Sequence, residues 1–334
     1  MFKPLISICI PAYKQPQYVA RCLDSIVKQD YQRIQVVISD DSPTYAEASE
    51  DLPAEASAKA GEPGEDIKQI IKPYADRLTI DYYHNQPALR SPANWNAALD
   101  RAGGELVMLM HQDDWFHAPD ALSTYVKTFE QNPGVDFVFC RNTAIDEKGN
   151  AIVLQAIPRL LKEMDRKPNQ LVMAQVIGPP SNTMLRRSVT IRYDEQFIWL
   201  VDVDYYVRLL KAGHRYHYID RHLVSIGLHK DQTTEFVRSN DHIILKENIL
   251  FAAKLESSAF RDISIYDYFW RILRNFKVRN IADMENAGVE RSKIPPVILR
   301  MLRLQKKMPL PVLQFGVFSK MLMTLSYITK PSAK

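Results

Sequence analysis

Short apolar runs alternate with longer helical patterns over the first part of the chain. The runs that have the length of buried strands span residues 5–10, 33–39, 78–83, 106–110 and 135–140. The helical patterns between them span residues 17–29, 67–75, 92–101 and 120–131. This alternation predicts βαβ units in a mostly parallel sheet flanked by helices, an α/β fold whose parallel strands end at one edge. Open sheets of this kind bind ligands at that edge.

The pattern changes towards the C-terminus. Residues 146–150 indicate a hairpin turn, residues 183–185 a short strand and residues 199–212 a helix. Two short strands are expected at residues 215–219 and 223–228, and helices from about residue 236 onwards. We therefore predict a first domain over residues 1–235 and a helical C-terminal region over residues 236–334.

Residues 43–66 differ in composition from their surroundings. Ala, Glu, Pro and Gly dominate, and large apolar side chains are few. Such a segment buries too little surface to offset the entropy of ordering. We predict a flexible acidic insertion.

Composition narrows the possible functions. The chain has 334 residues and a formal net charge of +4 that is spread out except for a basic tail, which gives little support for nucleic-acid binding. No G-x-G-x-x-G motif, P-loop or zinc cluster occurs. Cys9, Cys22 and Cys140 lack metal-ligand spacing, and we expect buried thiols in a reducing cytoplasm. The N-terminus resembles no signal peptide, and no apolar run is long enough for a transmembrane helix, so we predict a cytoplasmic protein.

Carboxylates follow the predicted strands and one predicted helix start. Asp113 and Asp114 come directly after the run at residues 106–110, Asp40 and Asp41 follow the second run, and Asp202 begins a helix. Adjacent carboxylates suit a hard divalent cation that shares its ligands with a substrate phosphate. An isolated Asp-Asp pair is also typical of a solvated turn or a helix N-cap. The joint placement of these residues favours a nucleotide-diphosphate site.

Several of these segments resemble the family 2 glycosyltransferases of the GT-A fold. Residues 4–13, PLISICIPAY, are similar to the opening strand and Pro-x-Tyr loop of that family. Residues 38–42 are similar to its second-strand ending, and residues 93–99 to its third helix. Gln112-Asp113-Asp114-Trp115 resembles a variant of its Asp-x-Asp signature, and residues 201–205 its Glu-Asp-x-Asp segment. The resemblance covers roughly residues 4 to 235.

The resemblance implies a role for each matching residue at the donor. Pro11, Ala12, Tyr13 and Asp40 would line the nucleoside pocket, with Asp40 accepting a hydrogen bond from the base. Asp41 would lie beside them or cap the following turn, and these alternatives stay open. A further donor contact is expected from Asn96 on the third helix. The position of Arg90 just before that helix suggests that it supplies positive charge to the diphosphate, and a solvated surface arginine is the alternative.

The resemblance also implies the catalytic groups. Asp113 would contact the ribose or donor sugar, and Asp114 would ligate Mn²⁺ or Mg²⁺ bridging the two phosphates. Asp202 would be the general base of an inverting transfer, with helix capping as the alternative. His229 lies in a loop similar to an Arg-x-His segment that closes on the diphosphate, and an ordinary surface histidine is the other interpretation.

Three residues depart from the family pattern. Gln112 stands where an aspartate is common, Val201 replaces an acidic neighbour of the general base, and Gly227 stands in place of an arginine. Weaker donor binding or a changed metal preference would follow. A nucleotide-sugar-binding or scaffolding protein with weakened catalysis is therefore a second hypothesis.

The expected reaction is metal-dependent transfer of a sugar, most simply from a UDP-sugar, to a hydroxyl of a saccharide or lipid-linked acceptor in cell-surface polysaccharide synthesis. The amphipathic basic tail would contact the inner face of the membrane, or pack on the transferase domain or a second subunit. The sequence does not indicate an oligomeric state.

Overall fold

Nine strands of the described chain form one mixed sheet. The structure, a computed structural model, describes residues 3–43, 67–154, 158–230 and 232–329. Residues 44–66 of the predicted insertion therefore lie outside the described residues. The strands are β1 (Ile6–Ala12), β2 (Ile34–Asp40), β3 (Thr79–His84), β4 (Leu106–Leu109), β5 (Trp115–Phe116), β6 (Phe137–Asp146), β7 (Ala151–Leu154), β8 (Thr183–Arg186) and β9 (Tyr216–Leu228). Their order is β3-β2-β1-β4-β8-β6-β9-β5, with β7 paired to β6.

The parallel part of the sheet is the part that the βαβ pattern predicts. Strand β1 pairs in parallel with β2 and with β4, and β2 pairs in parallel with β3. The later strands are mixed, because β8 runs antiparallel to β4 and β6 whereas β9 runs parallel to β6. The predicted hairpin turn joins β6 to β7. The α/β fold class is confirmed, with antiparallel pairs added beyond β4.

Thirteen α-helices accompany the sheet within the described ranges. They are α1 (Pro16–Val27), α2 (Ile67–Ile70), α3 (Ala93–Asp100), α4 (Ala121–Gln131), α5 (Pro158–Glu163), α6 (Val201–Lys211), α7 (Thr233–Arg238), α8 (Asp241–Lys254), α9 (Ile263–Asn275), α10 (Ile281–Asn286), α11 (Pro296–Lys306), α12 (Leu310–Gln314) and α13 (Gly316–Ile328). None of the helices in these ranges combines the length and the apolar character needed to cross a bilayer.

The helix expected over residues 67–75 is shorter than predicted. It ends at Ile70 and is followed by a 3₁₀ helix over Lys72–Tyr74. Pro73 explains the break, because proline has no N–H to donate and its ring disfavours the helical conformation of the residue before it.

The two short strands predicted near the end of the first domain are one strand, β9. Ile219 pairs with Cys140 and His222 with Arg141, so Asp220 and Arg221 are extra residues in a bulge. These two polar residues interrupt the apolar pattern that the sequence shows. Asp220 forms an ion pair with Arg141, which holds the bulge at the sheet surface.

The chain divides into two compact units. The first contains residues 1–162, 176–195 and 208–229, and the second contains residues 163–175, 196–207 and 230–334. An apolar core in the first unit joins β1, β2 and β4 to α1 and α4. In the second unit Phe251, Tyr266, Phe269 and Trp270 are fully buried. The predicted boundary near residue 235 stays a prediction.

The three cysteines are buried free thiols, as predicted. Burial raises the pKa of each thiol above its ordinary value, so the thiols stay protonated and unreactive at neutral pH.

Candidate active site

The adjacent carboxylates Asp113 and Asp114 lie in a tight turn between β4 and β5. The N–H of Met110 donates to the Cys9 carbonyl at 2.8 Å, which extends the β1–β4 pairing one residue beyond β4. The N–H of Asp114 then donates to the His111 carbonyl at 3.1 Å and closes the turn. The acidic pair therefore lies at the carboxyl edge of the parallel strands, where the sequence pattern places it.

Asp114 is a buried carboxylate that the protein only half satisfies. Its side chain is 2% exposed, and Oδ1 accepts a hydrogen bond from the Gly227 N–H at 3.0 Å. Oδ2 is buried and has no hydrogen-bond partner among the described residues. Burial, followed by the Asp113 charge, raises the pKa of Asp114 well above its ordinary value, although Ser181, Gly227 and Arg21 act in the opposite direction. Such an oxygen requires a proton or a cation.

His111 completes a set of possible metal ligands. One ligand atom each from His111, Asp113 and Asp114 lies within 4.8 Å of the others, and His111 Nδ1 is 3.9 Å from Asp114 Oδ2. The ring packs against Trp95 at 4.7 Å between centroids. Burial lowers the pKa of His111, which keeps the imidazole neutral and able to bind a metal. Two carboxylates and an imidazole fit Mn²⁺ well and Mg²⁺ adequately.

Asp113 is held by two side chains that come from distant parts of the sequence. His229 Nε2 lies 2.9 Å from Asp113 Oδ2, and the His229 ring packs on Tyr18 at 4.7 Å. Arg21 donates to the Asp113 carbonyl at 2.6 Å and lies over the Trp115 ring at 3.9 Å. His229 therefore lies at the acidic pair, and its predicted contact with the diphosphate stays a prediction. Arg21 was not predicted, because no local pattern marks a contact over 92 residues of sequence.

Gly227 has a steric reason to replace the arginine of the family pattern. A Cβ atom at this position would lie 2.4 Å from the Asp113 carbonyl oxygen and 3.0 Å from the Arg21 guanidinium. The backbone of β9 can therefore approach the acidic turn closely enough to donate to Asp114 only without a side chain. Arg21 supplies a positive charge at the same turn.

Gln112 has a positional reason to replace the aspartate of the family pattern. Its Oε1 accepts from the Tyr13 N–H at 2.8 Å, and its Nε2 donates to the Tyr13 carbonyl at 3.1 Å. A carboxylate could accept the first bond but could not donate the second. Gln112 thus fixes the segment that contains Pro11, Ala12 and Tyr13. In that segment Ala12 is buried and Tyr13 is 53% exposed.

Asp40 is a buried group with two protein partners. Its carboxylate accepts from the Tyr82 hydroxyl at 2.7 Å and from the Ser42 N–H at 2.8 Å. The side chain is 1% exposed. Its contact with a nucleobase stays a prediction.

Asp41 organises the loop that follows β3. Its carboxylate accepts from the Asn85 amide at 2.8 Å, the Leu89 N–H at 3.1 Å and the Arg90 N–H at 2.7 Å. Asp41 thus holds the loop of residues 85–90, and the choice between a donor contact and a cap of the following turn stays open. Arg90 is exposed and has φ +67°, and its donor contact stays a prediction.

Asn96 holds the backbone near residue 193. Its Nδ2 donates to the Tyr193 carbonyl at 2.9 Å, and its Oδ1 accepts from the Tyr193 N–H at the same distance. This two-way contact uses both ends of the amide. Asn96 therefore has a positioning role, and its predicted donor contact stays a prediction.

Asp202, the predicted general base, lies in the first turn of α6 and belongs to the second unit. Its Oδ2 accepts from Gln175 Nε2 at 2.9 Å, and its Oδ1 accepts from the Val203 N–H at 2.8 Å. Burial raises the pKa of Asp202, and these two hydrogen bonds lower it in part. The neighbouring Val201 is 3% exposed, so the position that carries an acid in the family pattern is apolar core here.

Glu247 of α8 supports the segment that leads into α6. Its carboxylate accepts three backbone N–H groups, from Ile198 at 2.7 Å and from Trp199 and Leu200 at 2.8 Å each. This buried cap fixes the start of the helix that carries Asp202. Asp204, two residues further on, forms an ion pair with Lys254.

Two curated relatives are similar to this chain. An uncharacterised protein of Mycobacterium tuberculosis is 31% identical over 62% of this chain and 62% of its own length, so the match spans less than two thirds of that relative. A Campylobacter jejuni protein named GalNAc(5)-diNAcBac-PP-undecaprenol beta-1,3-glucosyltransferase is 23% identical over 82% of this chain and 85% of its own length.

Two solved structures share the fold. Residues 1–349 of S. aureus TarS in complex with UDP-GlcNAc superimpose with a TM-score of 0.59 at 16% identity, over 96% of this chain and 89% of that TarS chain. The mannosyltransferase PcManGT of Pyrobaculum calidifontis, in complex with GDP-Man and Mn²⁺, superimposes with a TM-score of 0.53 at 14% identity, over 98% and 86% of the two chains. These likenesses confirm the predicted GT-A fold.

The family assignment itself comes from the sequence. Residues 4–241, most of the chain, match the family described as "Glycosyltransferase like family 2". This match covers the opening strand, the acidic turn and the segment with Asp202, on which the resemblance was based. The chain therefore belongs to the family 2 glycosyltransferases.

Proposed function

We propose that the protein is an inverting glycosyltransferase that moves a sugar from a nucleotide-diphosphate donor to a hydroxyl acceptor with the help of Mn²⁺ or Mg²⁺. The observation that carries the proposal is the buried, unpartnered Oδ2 of Asp114 beside His111 and Asp113. A buried carboxylate with a raised pKa in a turn at the ligand-binding edge of the sheet is typical of a functional group.

Asp114 would be the principal metal ligand, with His111 and Asp113 near enough to contribute. A divalent cation at this place supplies Lewis acidity, which stabilises the negative charge that develops on the leaving diphosphate. The surrounding protein holds the ligand atoms in place, because the Gly227 N–H orients the Asp114 carboxylate and Trp95 packs against the His111 ring. His229, fixed on Asp113, would contact the diphosphate.

Asp202 would remove the proton from the attacking acceptor hydroxyl. A general base works best when its pKa lies nearer to the working pH than that of an ordinary carboxyl group, and burial shifts Asp202 in that direction. Gln175 and the Val203 N–H hold the carboxylate in one orientation. Deprotonated Asp202 would accept the proton as the acceptor oxygen bonds to the anomeric carbon and the bond from that carbon to the diphosphate oxygen breaks, which releases the nucleoside diphosphate.

The donor would be a nucleotide sugar, most simply a UDP-sugar. The complexes of TarS with UDP-GlcNAc and of PcManGT with GDP-Man and Mn²⁺ support a nucleotide-sugar site in this fold. In this chain Gln112 fixes the segment from Pro11 to Tyr13, and the exposed Tyr13 ring is available to a nucleoside. Asp40, Asp41, Arg90 and Asn96 complete the proposed donor set, Asp41 and Asn96 through the loops that they hold.

The acceptor would be a saccharide or a lipid-linked saccharide of cell-surface polysaccharide synthesis. The name of the Campylobacter relative, which refers to an undecaprenol-linked glycan, supports this class. An enzyme with such an acceptor has to work at a membrane, so we place the protein in the cytoplasm and peripherally on the inner membrane face.

A protein of the same fold with weakened catalysis is the alternative that the three departures suggested. Each departure has a local structural cause, since Gln112 holds Tyr13, Gly227 admits β9 to the acidic turn, and Val201 is core. The departures therefore give this alternative little support.

Transfer from a panel of UDP-, GDP- and dTDP-sugars in the presence of Mn²⁺ tests the proposal. We expect Asp202→Asn to lower the rate by about 10²–10⁴-fold, the usual contribution of a general base. Asp114→Ala should lower it at least as strongly, and Asp76→Asn, which removes an exposed carboxylate, should leave it unchanged. Undiminished transfer by the Asp114 and Asp202 variants would overturn the proposed roles.

A further inference from the structure

Helix α13 exposes large apolar side chains and buries serines, the reverse of an ordinary surface helix. Ser319 and Ser326 are each 1% exposed. Ser319 Oγ accepts from the Trp270 indole N–H at 3.0 Å, and Ser326 Oγ lies 2.6 Å from the Tyr266 hydroxyl. The contacts with α9 thus satisfy the buried hydroxyl groups of Ser319 and Ser326. Helix α13 therefore packs on α9 without using its exposed apolar side chains.

The exposed side chains form one stripe along α13. We define the α13 stripe as Val317, Phe318, Met321, Leu325 and Ile328, which are between 54% and 72% exposed. From Phe318 onwards they are spaced by three to four residues, and Val317 lies four residues before Met321, which places them on one side of the helix. A contiguous apolar surface of this kind marks a site of interaction with a partner or a membrane.

The segment of sequence that contains the stripe is basic, and so is the groove beside it. From Arg291 to Lys334 the sequence has nine Lys and Arg residues and no Asp or Glu. An open groove of about 830 Å³ runs beside the stripe, and its lining includes Arg271, Arg274 and Lys320 together with Met321 and Leu325. Asp267 pairs with Arg271 at 3.3 Å and with Lys320 at 3.0 Å, which leaves an excess of positive charge along the groove.

We propose that the α13 stripe docks into the boundary between headgroups and acyl chains of an anionic phospholipid bilayer. An apolar helix face bordered by cations is the combination that binds such a surface. With 13 residues, α13 is about 20 Å long and lies in the interface, because a bilayer core is about 30 Å thick.

The charge distribution favours an anionic bilayer over a second copy of the chain as the binding partner of the α13 stripe. A two-fold symmetric contact through the stripe would bring the same basic segment of both copies together. Like charges placed against each other disfavour association. Anionic lipid headgroups neutralise them instead. The inference rests on the proposed function in one respect, because the proposed lipid-linked acceptor requires the enzyme to work at a membrane.

Flotation of the full chain with lipid vesicles tests the proposal. We expect binding to vesicles of phosphatidylcholine with phosphatidylglycerol, and binding at least about tenfold weaker to phosphatidylcholine alone or in high salt. The double variant Val317→Glu/Leu325→Glu should lower binding to the anionic vesicles by at least about tenfold, since it places two charges in the apolar face. Both positions are mostly exposed, so the fold tolerates the change.

Phe236→Glu is the matched control. Phe236 lies in the same unit and is 58% exposed, as is Leu325, but it is outside the stripe. It should float like the unchanged protein. Equal flotation of the stripe variant and the unchanged protein would overturn the proposal. Failure of the unchanged protein to bind vesicles, together with a dimer that the stripe variant dissociates, would overturn it in favour of a second copy.

Transfer to a soluble acceptor separates this inference from the proposed function. The stripe variant should keep the rate of transfer to a short water-soluble saccharide, because Val317 and Leu325 are exposed and are not among the residues assigned to the metal, the donor or the general base. Vesicle binding without any transfer would count against the proposed function alone. Transfer without vesicle binding would count against the membrane inference alone.

Discussion

Asp41 and Asp114 are both buried carboxylates that follow parallel strands at the same edge of the sheet, yet their surroundings differ. Asp41 accepts three hydrogen bonds from the loop of residues 85–90. Asp114 accepts one backbone hydrogen bond, and its Oδ2, 3.9 Å from His111 Nδ1, has no hydrogen-bond partner within the described part of the chain. The protein satisfies the first group fully and leaves the second prepared for a ligand. Location at the edge is shared, and the hydrogen bonds distinguish the structural group from the functional one.

The largest expected difference between the two carboxylates is the loss of stability when each one is removed. Asp41→Ala should lower the free energy of unfolding by about 3 kcal/mol, because it deprives two backbone N–H groups and one amide of an ionised acceptor. Asp114→Ala should change it by less than about 1 kcal/mol in EDTA, because the lost Gly227 bond is offset by removal of a buried polar oxygen that lacks a hydrogen-bond partner among the described residues. Urea unfolding measures both values. An equal loss in the two variants would contradict the distinction.

The next largest effect, on Mn²⁺ binding, is expected when the imidazole beside Asp114 is replaced. His111→Phe keeps an aromatic ring against Trp95 but removes the nitrogen, and it should weaken Mn²⁺ binding by about tenfold. The nitrogen modulation in the pulsed electron spin resonance spectrum of bound Mn²⁺ should disappear as well. His214→Phe, a change in the same unit, is the control and should leave both signals unchanged. Persistence of the nitrogen signal in the His111 variant would exclude this ligand.

A smaller effect is expected at Gln112, which holds the nucleoside segment beside the acidic turn. Gln112→Glu keeps the shape and the bond from the Tyr13 N–H but cannot donate to the Tyr13 carbonyl. Donor affinity should fall by about fivefold, equivalent to one neutral hydrogen bond of about 1 kcal/mol. Calorimetry with UDP measures it. Unchanged affinity would show that the segment does not depend on this amide.

The smallest expected effect concerns Asp202. It is a shift in the pH dependence of kcat/KM. Hydrogen bonds to the ionised carboxylate lower the pKa of Asp202, so the loss of the Gln175 bond in Gln175→Ala should raise it. Because the general base has to be deprotonated, the acidic limb of the kcat/KM profile should move to higher pH. The plateau at high pH should change little. A limb that stays in place or moves to lower pH would contradict the role of Asp202.

The sequence pattern was sufficient for the features that depend on local order. The apolar runs located β1, β2 and β4, and the carboxylates after them were expected at the edge where the structure has them. The break of the helix at Pro73 was visible in the sequence but was missed. Strand β9 was predicted as two strands, because two polar residues in its bulge interrupt the apolar pattern and periodicity alone does not distinguish a bulge from a turn.

The sequence could not reveal how the acidic turn is built. Arg21, Gln112 and Gly227 act on it or beside it through contacts that span 92, 99 and 113 residues of sequence. Such contacts depend on how the strands pair, so a single sequence gives no local signal for them. For the same reason Gln112 and Gly227 resembled defects in a family pattern until the partners of Tyr13 and Asp113 were known.

Binding of Mn²⁺ to the metal-free protein tests the central claim most directly. Titration by calorimetry in the presence of UDP should show one Mn²⁺ per chain in the unchanged protein. Asp114→Asn should abolish this binding or weaken it by at least about a hundredfold, because it removes the principal charged ligand. The matched change Asp41→Asn should retain the binding as long as the protein is folded. Unchanged Mn²⁺ affinity in Asp114→Asn would contradict the account.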